Sequence, residues 1–268
     1  MRAPAKGAEA ASEASAPSLP PASAVTLSEH DGVRYLHLDS PWVQGAMRIR
    51  RPQHMELVYV QRMLACLLWL PTEEIGNGHA VQLGLGAGAI TRFTATTLRM
   101  PTTVVEISRE VVDVNARWFH LPRTAEVVVG DAAAWLAQAE PASVRLLHAD
   151  LYDQDAAAPV LDDAPFYAAC HRVLERTGGL FAVNLFGRHA SFARSIALVA
   201  EAFGADQVWS LTPTREGNTI VVAGRGVVVP AREELAARAE VLERRFGTLG
   251  LPARKWLRMV RPYAPYAR

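Results

Sequence analysis

Three glycines and three acids are the residues of this chain whose types and spacing can do chemistry. Gly84, Gly86 and Gly88 stand at alternate positions in VQLGLGAGAITRF (81–93), an apolar run followed by a turn and a helix-like stretch. Without a Cβ, glycine lets the backbone of a strand-to-helix turn come close to a ligand. Glu106 ends the next apolar run, TTVVE (102–106). An acid roughly 20 residues past such a turn is placed to accept hydrogen bonds from both hydroxyls of a ribose. Asp131 and Asp150 end the two apolar runs that follow. The set points to a nucleoside-containing ligand.

Two ligand classes fit the turn. Gly84-x-Gly86-x-x-Ala89 satisfies the dinucleotide pattern. Gly84-x-Gly86-x-Gly88 equally satisfies the turn of enzymes that bind an S-adenosyl sulfonium. The later runs separate them. EVVVGDAAAWLAQ (126–138) places the carboxylate of Asp131 and the backbone N–H of Ala132 where an adenine would lie, at the carboxyl edge of a third strand. VRLLHADLYDQD (144–155) is a fourth strand that ends in Asp150 and Asp153. A strand ending in an acid thus recurs three times, which a dinucleotide site does not need.

These residues need a frame that gathers strand ends. Strands and helices alternate from about residue 71 to 224, the pattern of an α/β fold with a doubly wound, mostly parallel sheet. Ligands of such sheets bind at the carboxyl ends of the strands. Residues 25–50 alternate like strands around the turn Asp31-Gly32 and predict a small N-terminal β-appendage. MELVYVQRMLACLLWL (55–70) has helical spacing and stops at Pro71. The expected organisation is a disordered tail (1–24), a β-unit with its linking helix (25–70), a nucleoside-binding catalytic domain (71–224) and a basic C-terminal helix and tail (225–268).

Composition narrows the function. The chain has 268 residues, half of them apolar, with a net charge of +1. That describes a globular chain without overall nucleic-acid character. No apolar run is long enough to span a bilayer, and residues 1–24, rich in Ala, Ser and Pro, lack a signal-peptide core. Cytoplasm is the expected location. Cys66 and Cys170 sit in apolar helical contexts and read as buried thiols; no metal spacing is present. The segment 225–268 carries ten Arg or Lys against four Asp or Glu. It reads as a solvated helix and tail rather than a nucleic-acid surface. Trp256, Tyr263 and Tyr266 there pack on the domain or on a partner subunit. Asp162 and Asp163, just before a helix, read as caps. His148 reads as packed, and Asn184, ending the fifth strand, faces the cleft edge.

From Leu38 to Gly224 the chain resembles the spermidine synthase (polyamine aminopropyltransferase) family, within the class I methyltransferase fold and its seven-stranded type of sheet. The resemblance rests on Leu38-Asp39, Val43-Gln44, Glu56-Leu-Val-Tyr59, the Gly84–Gly88 turn, Glu106, Gly130-Asp131, Asp150 with Asp153, Phe166-Tyr167 and Pro213-Thr214. It implies a sulfonium donor, decarboxylated S-adenosylmethionine or S-adenosylmethionine itself, a small amine acceptor and a homodimer. Glu106 then binds the ribose, Asp131 with Ala132 the adenine, and Gln44 lies near the donor. Asp150 orients and deprotonates the amine, Asp153 holds a second cationic group, and Tyr59 lines the acceptor channel.

Three departures bear on the substrate. The family's turn reads G-G-G-D-G, where the acid faces the amino end of the decarboxylated donor; here that position is Ala87. The family's Y-H-E-M is Tyr59-Val60-Gln61-Arg62, and its P-T-Y-P-S-G is Pro213-Thr214-Arg215-Glu216-Gly217, with Arg215 where a tyrosine would pack on a polyamine. Removing a carboxylate at 87 removes repulsion of ordinary S-adenosylmethionine. A cation at 215 disfavours a diamine unless Glu216 or Asp153 neutralises it. A small-molecule methyltransferase and an inactive binding homologue therefore stand beside aminopropyl transfer as readings.

Overall fold

The computed structural model describes residues 24–39, 42–151, 161–186 and 190–264. Tyr152, Asp153, Asp155, His189 and Tyr266 lie outside the described residues.

The N-terminal unit is a three-stranded antiparallel sheet of β1 (Val25–His30), β2 (Val33–Leu38) and β3 (Gly45–Arg48). Asp31 and Gly32 both take positive φ, 50° and 73°. Two such residues match the turn to the right-handed twist of the strands it joins. A helix α1 (Val58–Met63) winds on as a 3₁₀ segment, Leu64–Trp69, whose residues are all buried.

The second sheet is built from β4 (Ala80–Leu83), β5 (Thr102–Glu106), β6 (Glu126–Val129), β7 (Leu146–Ala149), β8 (Gly179–Phe186), β9 (Val208–Leu211), β10 (Asn218–Arg225) and β11 (Val260–Pro262). Its order is β11-β9-β10-β8-β7-β4-β5-β6. From β6 across to β8 every pair is parallel, and β10, β9 and β11 pair antiparallel. After β4 the chain winds outward through β5 and β6, then returns to the other side of β4 as β7. This reversal leaves a crevice between the carboxyl ends of β4 and β7. The helices α2 (Ala89–Arg92), α3 (Arg109–Trp118), α4 (Ala132–Gln138), α5 (Ala164–Val173), α6 (Ala190–Phe203), α7 (Arg232–Phe246) and α8 (Ala253–Trp256) cover the sheet.

Helix starts follow side-chain caps. Ser108, Asp131 and Asp163 each accept from the backbone N–H three residues on, at 3.2, 2.8 and 2.8 Å. Each satisfies one donor that a helix start leaves orphaned. The C-terminal segment is integral to the packing. Trp256 is 1% exposed within the core, and β11 adds an eighth strand at the sheet edge. A three-residue strand ending in Pro262 suits only an edge, since proline cannot donate to a further neighbour.

The N-terminal sheet also shares a core with the second sheet and its helices. Leu36 and Met47 pack with Leu85, Ala87, Val104 and Phe119. A Cβ on Gly45 would stand 2.5 Å from both the backbone N and the Cβ of Ala87. The first strand of contact between the two units is therefore backbone against the glycine turn.

Candidate active site

The glycine turn is constrained by the protein itself. Gly84, Gly86 and Gly88 have φ of 84°, 51° and 65°, a region that residues with a Cβ rarely adopt. A Cβ at Gly84 would fall 2.3 Å from the carbonyl oxygen of Asp150, and one at Gly86 would lie 3.1 Å from the carbonyl oxygen of Gln44. Gly88 caps α2 in the left-handed conformation. So the turn carries the strand ends of β4 and β7, and β3, into close approach. Gln82, on β4, pins it from below: its amide donates to the Gly84 carbonyl at 2.7 Å and accepts from Thr91 at 2.6 Å. Asn115 donates to the Gly86 carbonyl at 2.7 Å.

Glu106 ends β5 beside the turn and is 9% exposed. Its carboxylate accepts from the backbone N–H of Leu85 at 2.8 Å and of Ser108 at 2.9 Å. Burial raises its pKa, and backbone donors, including Ile107, pull it back. With three backbone donors on two oxygens, one lone pair remains for an outside donor. On the next strand end Asp131 is exposed, its carboxylate already capping α4, while the side chain of Ala132 enters the core. Ile107, next along the chain from Glu106, is 43% exposed, an apolar surface without a signal in the sequence.

Asp150 follows β7 at the far side of the crevice. Asn184 of β8 donates to its Oδ1 at 2.9 Å, and the hydroxyl of Tyr59, from α1, donates to it as well. Burial raises the pKa of the Asp150 carboxyl, and these two hydrogen bonds offset part of the rise. The network continues. Asn218 of β10 donates to Asn184 Oδ1 at 3.2 Å, and its backbone N–H donates to the Thr214 hydroxyl at 3.2 Å. A polar chain thus runs from Asp150 to the 212–217 loop, which carries Arg215 and Glu216. Asn218 carried no signal in the sequence, because its partner lies 34 residues away.

Arg215 is exposed on that loop. Glu216 beside it is held below the usual carboxylate range by its own backbone N–H and by the Thr214 hydroxyl, and the charges of Arg215 and Arg62 act in the same direction. Arg62, one turn on from Tyr59, donates to the Thr212 carbonyl at 2.5 Å and ties α1 to the loop. Asp153 lies outside the described residues. His148 is buried beneath Asp150, its Nε2 3.7 Å from Cys66 Sγ, and burial lowers its pKa to about 4. It is a packed neutral histidine. Asp162 accepts from Tyr167 and Ser195, both at 2.7 Å, a structural role.

One pocket brings the glycine turn beside Tyr59 and Asp150. Gln44 and Gly45, Glu56 and Tyr59, Leu85 to Ala87, and Asp150 line it. It is a narrow cleft of about 20 Å³ between the glycine turn and a half-buried, hydrogen-bonded acid.

No model of a known protein family matches the chain. A curated relative, the polyamine aminopropyltransferase of Chromobacterium violaceum, is 30% identical over 231 residues, covering 83% of this chain and 85% of the relative. The chain belongs to the polyamine aminopropyltransferase family. Its fold is shared with a probable spermidine synthase from Corynebacterium glutamicum, at a TM-score of 0.70 and 22% identity over 88% of this chain and 89% of that one. Human methyltransferase-like protein 13, solved with SAH, matches at a TM-score of 0.62 and 20% identity, over 79% of this chain and 97% of that one. Among the described residues of this family member, no helix is long and apolar enough to cross a membrane.

Proposed function

We propose that this family member transfers an alkyl group, aminopropyl in the first place, from an S-adenosyl sulfonium to a small amine. The observation that carries the reading is Asp150. It is a half-buried carboxyl held by Tyr59 and Asn184, its pKa raised by desolvation, in one pocket with the glycine turn. Glu106 suits the ribose, Asp131 and the backbone at Ala132 the adenine edge, with Ile107 against the ring. Gln44 borders the sulfur end; Tyr59, Arg215 and Asp153 are assigned to the acceptor.

The sulfonium supplies a good leaving group when bound, so the chain's task is to place the amine and take its proton. The amine nitrogen attacks the carbon on sulfur, the C–S bond breaks with its electron pair to sulfur, and Asp150 accepts the N–H proton. A base is most effective when its pKa is brought towards the working pH, which burial of Asp150 does. Only ionised Asp150 can accept a proton, so the rate rises with pH through an ionisation above the usual carboxylate range.

Asp150→Asn is expected to lower kcat by about 10²–10⁴-fold and to remove that ionisation from the pH profile. Unchanged transfer rates would overturn the assignment and favour an inactive binding homologue. A second reading, methyl transfer from ordinary S-adenosylmethionine, is favoured by Ala87, which offers no carboxylate to repel that of the donor. Calorimetry with the two donor forms separates the readings, since tighter binding of the decarboxylated form supports aminopropyl transfer. The same reading takes the working enzyme to be a cytoplasmic homodimer, checked by cell fractionation and by mass in solution.

A further inference from the structure

Both donor forms carry an alkylammonium a few bonds from the sulfur. Moving such a cation from water into a pocket is costly unless a carboxylate receives it. Among the described residues the turn side of the pocket offers none: Ala87 is 4% exposed, with Gly45 close against it. Of the described residues lining the pocket only Asp150 and Glu56 are acids. Asp150 is engaged by Tyr59 and Asn184 and serves the acceptor nitrogen.

Glu56 stands just before α1. Arg48 Nη2 donates to its Oε1 at 3.0 Å. Its Oε2 lies 2.7 Å from Arg48 Nε and 3.5 Å from His54 Nδ1, yet it is buried and receives no aligned hydrogen bond. Arg48 is 44% exposed, so water screens much of its charge. Burial lowers the pKa of His54, which adds no positive charge near neutral pH. Glu56 is thus a fixed carboxylate with unused acceptor capacity at the pocket wall.

We propose that Glu56 is the carboxylate that binds the donor's ammonium, held in position by Arg48. This rests on the donor-site reading above. The test is calorimetry of 5′-methylthioadenosine, which has no ammonium, against decarboxylated S-adenosylmethionine, on the full chain and on Glu56→Gln. The variant is expected to bind methylthioadenosine within twofold of the parent and the ammonium-bearing donor at least tenfold more weakly. Glu56→Asp, which keeps the charge, is expected to recover most of that loss. Equal losses for both ligands would make Glu56 a purely structural residue and overturn the assignment. Unchanged donor affinity with a tenfold higher KM for the amine would give the ammonium to the acceptor and also overturn it. If the unmutated chain binds neither ligand, the donor-site reading fails and the assignment falls with it. Normal methylthioadenosine binding shows that the reading stands and isolates the role of Glu56.

Discussion

On the side of the site proposed for the donor the backbone does the placing. Gly84 brings β4 against the Asp150 carbonyl, Gly86 faces the Gln44 carbonyl, and Glu106 is anchored by the N–H groups of Leu85 and Ser108. On the side proposed for the acceptor the placing falls to side chains, with Tyr59 and Asn184 on Asp150, Asn218 on Asn184, and Thr214 on Asn218. A backbone-built half tolerates no added atom. A side-chain-built half can lose one hydrogen bond and shift, so the acceptor half is where such a fold can change substrate while keeping its donor.

The contrast is broken most severely at Gly84. Alanine there meets an unfavourable φ of 84° and a carbonyl oxygen at 2.3 Å. The expected cost is about 2–5 kcal/mol of stability, with donor binding and acceptor chemistry lost together. Thermal unfolding and calorimetry check this. A fully stable Gly84→Ala protein would show that the turn is not the rigid member of the pair.

Next in size is the support beneath the acceptor half. The pKa of His148 is lowered from 6.5 to about 4, so the folded chain binds fewer protons than the unfolded one between those values. Stability is therefore lost as pH falls from 6.5 towards 4, by up to about 3 kcal/mol from this group. His148→Leu removes that term, and its Tm should fall less than the parent's between pH 7 and 4. Parallel curves would mean that His148 escapes burial when it is protonated.

The same contrast explains what the sequence made legible. A backbone constraint writes itself as glycine, and a strand-end acid keeps its spacing from the turn, so Gly84, Gly86, Gly88, Glu106 and Asp150 could be read from one strand of text. The sheet followed from alternating strands and helices. Asn218 and Arg62 could not be read, because their partners are set by the pairing of β8 with β10 and the packing of α1 on the 212–217 loop. Glu56 was visible only as part of a family pattern; its place in the pocket depends on Arg48 of β3. β11 escaped notice because Val260-Arg261-Pro262 lacks the alternation of a strand and gains its hydrogen bonds only from β9.

A smaller effect sharpens the comparison inside the acceptor half. Asn184 donates to Asp150 and holds its pKa down, so Asn184→Ala should raise that pKa further. The rising limb of the pH–rate profile then moves to higher pH. On that limb kcat falls by about tenfold, the scale of one hydrogen bond to a charged group, and recovers at higher pH. A uniform loss at all pH values would mean that Asn184 places the substrate rather than tuning the acid.

Asn218 should give the smallest effect, and of a different kind. It reaches Asp150 only through Asn184, at 3.2 Å, but it also anchors the 212–217 loop through Thr214. With alanine at 218 the Asn184 amide still donates to Asp150, so the pH–rate profile should stay in place. The loop loses one neutral hydrogen bond on its strand side, worth about 1 kcal/mol, while Arg62 still ties it to α1. The expected result is a two- to threefold rise in KM for the amine with kcat little changed, read from steady-state kinetics at two pH values. A shift in the pH profile larger than that of Asn184→Ala would reverse the order. The polar chain would then act as one cooperative unit, and the acceptor half would be as rigid as the donor half.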